Sequence, residues 1–220
     1  NDLYTANVKT FEDRGMINGF VNPVDFEFVG PDDRIFVVDK GDSKVKVVDI
    51  ARMEITSDIE TGDHTSPVSI VIKGGYRALV MNGGAAADSL KDSTIIAIDY
   101  RDQLVSLADM IGSLYVGDNP NSAVNINGLN VLCKGVYDLN NMANNTIATL
   151  GKVDTEDLVV EWTQQLNNIY NAKNLVSNTS GSVYFFTAFD GIYTMNNTGV
   201  GVSKLEPIIS DVLFVKNEEY

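Results

Sequence analysis

Three prolines open three similar stretches, and their spacing limits what this chain can fold into. Pro23-Val24-Asp25-Phe26, Pro67-Val68-Ser69-Ile70 and Pro120-Asn121-Ser122-Ala123 each follow a polar loop and start a short run of strand-forming residues. They stand 44 and 53 residues apart, and a fourth, degenerate copy begins 52 residues later at Ala172-Lys173-Asn174-Leu175-Val176. Each copy holds four short β-branched or aromatic runs broken by Gly, Asn and Asp, which is the grammar of strands and turns. The first copy predicts strands at 24–29, 35–39, 45–50 and 54–59. The second predicts 68–72, 78–82, 94–100 and one within 104–116. The third predicts 122–126, 129–133, 146–153 and 158–162, and the fourth 174–177, 183–187, 191–196 and 204–209. No segment has a long helical period; 104–114 and 159–170 are the ambiguous stretches.

Four-stranded repeats of about 40–50 residues are the signature of propeller blades. One such sheet cannot bury both of its faces alone, so sheets stack, with the first strand of each innermost. The expected fold is therefore all-β, a β-propeller of about four blades plus terminal strands, as one domain or a fragment. Blade boundaries fall near 22–62, 63–117, 118–170 and 171–211. Residues 1–21 and 212–220 belong to flanking blades, with 8–11 as an outer strand and 212–215 as an inner one. If those two segments pair, they close a small ring. If not, this is an arc of a larger ring whose missing wall is supplied by a partner chain or by other residues, because exposed sheet edges invite aggregation.

The third copy is the sharpest. Gly117-Asp118-Asn119-Pro120 cannot continue a strand or helix, and Asn127-Gly128 predicts a hairpin with positive φ at both turn positions. Gly117-Asp118-Asn119-Pro120-Asn121-Ser122, followed by Leu129-Asn130-Val131-Leu132-Cys133-Lys134-Gly135-Val136-Tyr137-Asp138, resembles the repeat of YncE-like, YVTN-type propellers. Within those it is most similar to Bacteroidota surface lipoproteins. Ile35-Phe36-Val37-Val38-Asp39 and Val45-Lys46-Val47-Val48-Asp49 match strands of the same repeat, and the likeness runs from about residue 22 to 209. It implies a seven-bladed ring, an extracytoplasmic place at the cell surface or in the periplasm, outer-membrane association, and binding without catalysis. Relatives of this kind bind cobalamin or glycans, so a protein or small-molecule ligand is implied, though no ligand residue is carried over. This chain is about two-thirds of the expected length.

Composition narrows the function classes. The chain has 220 residues and a formal charge of −14, with a sequence pI near 4.3. That excludes a nucleic-acid binder, which needs a basic surface. It fits a soluble protein, or one that meets cations or basic partners. Mean hydropathy is −0.02, and no apolar run approaches the ~18 residues of a membrane span. The single cysteine, Cys133, precludes an internal disulfide and a cysteine metal cluster. The chain starts at Asn1 without a Met or signal peptide, which reads as a mature, trimmed or partial chain.

No catalytic constellation emerges. His64, the one histidine, stands beside Asp63 without a serine elbow or reactive cysteine. Asp39-Lys40-Gly41-Asp42-Ser43 alternates oxygen ligands as a Ca²⁺ loop does, but lacks the distal Glu and reads as turn chemistry. Three Asn-x-Ser/Thr matches, at Asn144, Asn178 and Asn196, read as turn residues. No cofactor or metal is expected. Two long loops, 83–93 and 135–145, stand between second and third strands, and strand alternation puts them on one face with the loops that precede first strands. Extra loop length concentrates function. The expected ligand-binding face thus comprises Asp63, His64, Asp88, Asp118, Asn119, Tyr137, Asp138 and Asn140. A non-catalytic binding or scaffold module leads. A propeller-class lyase or lactonase, for which the inner strands offer only Asp25, Glu27 and Asn125, is the alternative, beside a structural subunit of a surface appendage or phage particle.

Overall fold

The computed structural model describes residues 1–30, 33–62, 65–84, 92–101 and 109–206. Contacts divide the chain into two compact units, one of Asn1–Gly84 and Ile95–Ser113, the other of Ala85–Thr94 and Leu114–Tyr220. All regular structure among the described residues is β, apart from one 3-10 turn at Met142–Asn144.

The first unit opens with a hairpin of β1 (Leu3–Ala6) and β2 (Asp13–Ile17). Next comes an antiparallel sheet in chain order, β3 (Pro23–Phe28), β4 (Arg34–Asp39), β5 (Lys44–Asp49) and β6 (Glu54–Glu60). A second sheet has β7 (Pro67–Lys73), β8 (Arg77–Asn82), β9 (Thr94–Asp99) and β10 (Asp109–Tyr115), the last two running into the second unit at their ends. The second unit holds two more sheets. One is β11 (Pro120–Asn125), β12 (Leu129–Cys133), β13 (Thr149–Asp154) and β14 (Val159–Gln165). The other is β15 (Lys173–Ser177), β16 (Val183–Ala188), β17 (Gly191–Asn196) and β18 (Ser203–Glu206). Within each unit the first strands of consecutive sheets lie side by side, β3 against β7 and β11 against β15. This is an all-β, β-propeller fold of four-stranded blades.

Burial explains the sequence pattern. Middle strands such as β4, β8 and β12 are buried on both faces and read as unbroken apolar runs, whereas the outermost β6 and β14 alternate between exposed and half-buried. Phe36 and Val38 of β4 pack with Val45, Val47, Ile70, Val80, Ile96 and Ile98 between the first two sheets. Their neighbours Ile35 and Val37 point the other way, into a cluster with Ile17 and Phe20 beneath the hairpin. In the second unit Leu132, Leu150, Leu175, Tyr184 and Phe186 fill the space between its sheets.

The repeated prolines acquire a structural reason. Pro23, Pro67 and Pro120 each start a first strand, opposite Asp39, Asn82 and Cys133, and the register slips by one residue immediately after each. A proline at the slip removes an N–H that the ladder could not use. The second residue after the proline then reaches the next sheet. Asp25 Oδ2 accepts from the Ile70 N–H at 2.9 Å, and Ser122 Oγ accepts from the Leu175 N–H at 3.1 Å. Asn121 Nδ2 donates to the Ala172 carbonyl at 2.8 Å. The Pro-Asn-Ser motif is an inter-sheet clamp.

Three details differ from expectation. Residues 8–11, expected as an outer strand, are the turn of the β1–β2 hairpin, with exposed Val8 and Phe11. The flanking strands Leu3–Ala6 and Asp13–Ile17 carry Asp13, Arg14 and Gly15 and so lack an apolar rhythm. Asn127 and Gly128 do have positive φ, 55° and 103°, but Asn125 pairs with Leu129, so the connection has three residues instead of two. Residue 146 does not start β13; it makes an isolated bridge to Val136. The expected strand at 212–215 lies outside the described residues.

Candidate functional site

Strand alternation gathers three connections at one end of the second unit: the β12–β13 loop, the β14–β15 link and the β16–β17 turn. Backbone hydrogen bonds tie them together. Lys134 N–H donates to the Asn119 carbonyl at 3.0 Å, Asn171 N–H to the Lys134 carbonyl at 2.9 Å, and Phe189 N–H to the Tyr170 carbonyl at 3.4 Å.

The β12–β13 loop leaves its sheet through a narrow neck. Gly135, at φ 72°, passes so close to the returning strand that an added Cβ would stand 2.2 Å from the Thr146 carbonyl oxygen, so only glycine fits. Val136 and Thr146 then exchange backbone hydrogen bonds of 3.1 and 3.0 Å. One step further out, Asp138 N–H donates to Asn145 Oδ1 at 2.6 Å. Asp138 Oδ1 accepts from the Asn140 and Asn141 N–H groups at 2.7 and 3.2 Å, shaping the turn that leads into Met142–Asn144.

This neck aims Tyr137 at two rings from other segments. Its centroid lies 5.5 Å from that of Tyr170 and 5.2 Å from that of Phe189, both tilted. Phe189 stands at the tip of the two-residue turn between Ala188 and Gly191 and is 64% exposed. Together with Met142, Asn145, Asn168 and Asp190, the three rings line a cavity of about 230 Å³. Asp190 accepts from Lys204 Nζ at 2.6 Å and from the Tyr193 hydroxyl at 2.8 Å. The Lys204 hydrogen bond is the larger influence holding the Asp190 carboxyl below the usual carboxylate range. Burial, reinforced by Asp190, pushes the Tyr193 phenol up to about 12. The rim therefore carries an ion pair and neutral amides instead of an unbalanced charge. Such a site offers ring faces to an apolar surface and amide and carboxylate groups to hydroxyls.

A second cavity of about 500 Å³ lies between Tyr115–Asp118 and β13–β14, lined by Thr146, Thr149, Thr163 and Gln165 among others. Its lining has one aromatic ring, Tyr115, and it gathers no comparable cluster of rings.

The structure distributes the expected residues unevenly. Tyr137 lines the aromatic cavity, while Asp138 and Asn140 shape the loop that carries it. Asp118 and Asn119 lie at the base. Asp118 Oδ1 accepts from Ser93 Oγ at 3.4 Å, and the buried Asn119 donates through Nδ2 to the Gly135 carbonyl at 3.0 Å. Asp63, His64 and Asp88 lie outside the described residues, as does 85–91, most of the other long loop. Tyr170, Phe189, Asn168 and Asp190 were not expected; an aromatic residue at a two-residue turn tip is the one signal that could have marked Phe189. Asp39 and Asp42, considered for Ca²⁺, are engaged by the protein: Asp39 accepts from the Val21, Asn22 and Gly41 N–H groups at 2.8, 2.7 and 3.2 Å, and Asp42 binds Lys46 at 2.7 Å. Cys133 is buried, and that burial pushes its thiol up to about 12, which suppresses the reactive thiolate.

No protein-family model matches the chain, and neither does any curated protein sequence. Solved structures do. Hydrazine synthase of Kuenenia stuttgartiensis superposes with a TM-score of 0.75 at 18% identity, over 94% of this chain and 60% of that one. A functionally unknown protein from Desulfotomaculum acetoxidans superposes with a TM-score of 0.65 at 10% identity, over 94% of this chain and 68% of the other. At such identities the likeness speaks for the fold alone, and it supports the propeller architecture. The chain spans about 60% of the hydrazine synthase chain it matches.

Proposed function

We propose that this chain is a non-catalytic binding module on a propeller scaffold, and that its ligand is a neutral, polyhydroxylated ring compound of the saccharide type. The supporting observation is the convergence of Tyr137, Tyr170 and Phe189 from three separate connections around a small cavity with amide and ion-paired walls. The cavity volume of about 230 Å³ suits a single sugar ring at the end of a longer glycan. Membership among YncE-like, YVTN-type repeat proteins and an extracytoplasmic place at a Bacteroidota-type cell surface belong to the same proposal. They rest on the Gly117-to-Asp138 motif. Cobalamin, the other ligand that the resemblance implies, is far larger than this cavity. A ring completed by a partner chain is part of this reading.

A specific observation favours one second reading. The superposition on hydrazine synthase, by its name an enzyme, covers 94% of this chain, which fits a structural component of an enzyme assembly.

Calorimetric titration of the chain with a panel of mono- and oligosaccharides tests the first reading. Binding in the micromolar-to-millimolar range is expected, weakened at least about tenfold by Phe189→Ala, since a stacked aromatic contributes roughly 1–3 kcal/mol in such contacts. No binding by any sugar, or binding indifferent to Phe189→Ala, would sink it.

A further inference from the structure

The turn that carries Phe189 is built against the preference of its own backbone. Ala188 pairs with Gly191, so Phe189 and Asp190 form a two-residue hairpin connection. Such connections favour positive φ at one or both positions, because the turn then follows the twist of its strands. Neither Phe189 nor Asp190 has positive φ, whereas Asn127 and Gly128 do. The backbone tie from this tip to the rest of the unit is weak as well. Phe189 N–H reaches the Tyr170 carbonyl at 3.4 Å, long for a hydrogen bond. Yet the ring, 64% exposed, stands in one place, facing Tyr137 at 5.2 Å.

Side chains supply the missing constraint. Phe186 pairs with Tyr193 across β16 and β17, and Tyr193 with Lys204 across β17 and β18. Directly paired residues share a face, so these three form a row across the sheet. The row starts in the core, where the buried Phe186 ring stacks on Tyr193 at 5.5 Å and 14°. It ends at the rim with Lys204, whose Nζ lies 5.9 Å from the Tyr193 ring centroid. Asp190 reaches back to this row with both carboxylate oxygens. Oδ1 accepts from the Tyr193 hydroxyl at 2.8 Å and Oδ2 from Lys204 Nζ at 2.6 Å. A planar carboxylate held at both oxygens, from two strands, is fixed in rotation as well as in position. Phe189 is its neighbour in the chain, so the constraint passes to Phe189 through one peptide.

We propose that Tyr193 and Lys204, neither of which lines the cavity, are positioning residues of the binding pocket. Acting through Asp190, they hold an otherwise unfavoured turn in the form that presents Phe189 to Tyr137. Affinity is then set in part by two side chains that do not meet the bound molecule. The ligand in this proposal rests on the saccharide reading; the positioning of the ring does not.

The test uses the full chain carrying Y193F, K204M or both, and reads two quantities. The first needs no ligand. A nuclear Overhauser contact between the Phe189 and Tyr137 rings is expected in the unsubstituted chain, reduced in each single variant and lost in the double one. The second is calorimetric affinity for glucose, galactose, mannose, N-acetylglucosamine and their disaccharides. Y193F should weaken binding about 3- to 10-fold and K204M about 2- to 5-fold, with the double variant weaker by more than about tenfold. K204R, which keeps a cation for Oδ2, should stay within about twofold. Lys204 is well exposed, so K204M leaves the fold intact, and circular dichroism with a single cooperative urea transition checks the others. A ring contact that persists in the double variant, or is absent from the unsubstituted chain, overturns the proposal. So does sugar binding that the double variant leaves unchanged. If the contact depends on Tyr193 and Lys204 while no sugar binds, the saccharide reading falls and the positioning stands.

Discussion

The first and third sheets solve one problem in opposite directions. In both, the loop that enters the first strand must be tied to the exit of the second. The first sheet does it from the strand: Asp39, 0% exposed, accepts from the backbone of residues 21 and 22. In the third sheet that register position, opposite the proline, is Cys133. There the tie comes from the loop, with Asn119 donating its side-chain amide to the Gly135 carbonyl. The first arrangement fixes the strand exit within a four-residue turn between Asp39 and Lys44. The second fixes only the neck, and beyond it the chain is free to lengthen into the loop that carries Tyr137. In these two sheets the side chain that makes the tie differs, and so does the length of the connection beyond it.

The largest test of that comparison is a pair of substitutions at the shared position. Asp39→Ala removes the buried acceptor of three backbone N–H groups and should cost about 3 kcal/mol in urea unfolding, whereas Cys133→Ala removes one small apolar group and should cost about 1 kcal/mol. Equal costs would break the comparison.

Gly135→Ala comes next. It combines positive φ with a backbone clash and should cost roughly 2 kcal/mol, with loss of saccharide binding at the Tyr137 pocket. Full stability with normal binding would show that the neck does not position the pocket.

The smallest effect concerns the rim. Because Lys204 holds the Asp190 carboxyl low, the ionised Asp190 contributes stability above the ordinary carboxylate range, near pH 4. That contribution is lost as pH falls through the lower folded value. Both partners are well exposed, so solvent screening keeps the effect to about 0.5 kcal/mol or less. Asp190→Asn should accordingly lower stability at neutral pH by that small amount, leave it unchanged at acid pH, and so flatten the acid limb of the stability curve slightly. A change at neutral pH as large as that of Gly135→Ala would contradict this assignment.

Much of the fold was legible because the middle strands must be apolar enough for covered faces and the strands are punctuated by turn residues: 129–133 and 191–196 match the structure end to end. The β1–β2 hairpin was not legible, since one of its faces is uncovered and Asp13, Arg14 and Gly15 break the rhythm. Only part of the candidate site could be read. Loop length pointed to Tyr137 and its neighbours, but Tyr170 and Phe189 join them only through sheet-to-sheet packing, which linear spacing does not encode. Asp118 and Asn119 drew attention as polar loop residues, and the geometry shows Asn119 to be a fastener.

The neck at Val136 and Thr146 also acts as an insulator between two rates of change. Inside it, a lost methyl group or a shifted register is felt by the whole sheet. Outside it, the six residues 139–144 are held to the scaffold by the Val136–Thr146 backbone pair, by the Asp138 N–H on Asn145 Oδ1, and at the cavity wall by Met142. Sequence can drift there, and specificity with it, while the sheet below stays under selection for packing alone. A chain built this way can acquire new ligands by rewriting a tip instead of a fold, and a library randomised at those six positions would sample that freedom directly.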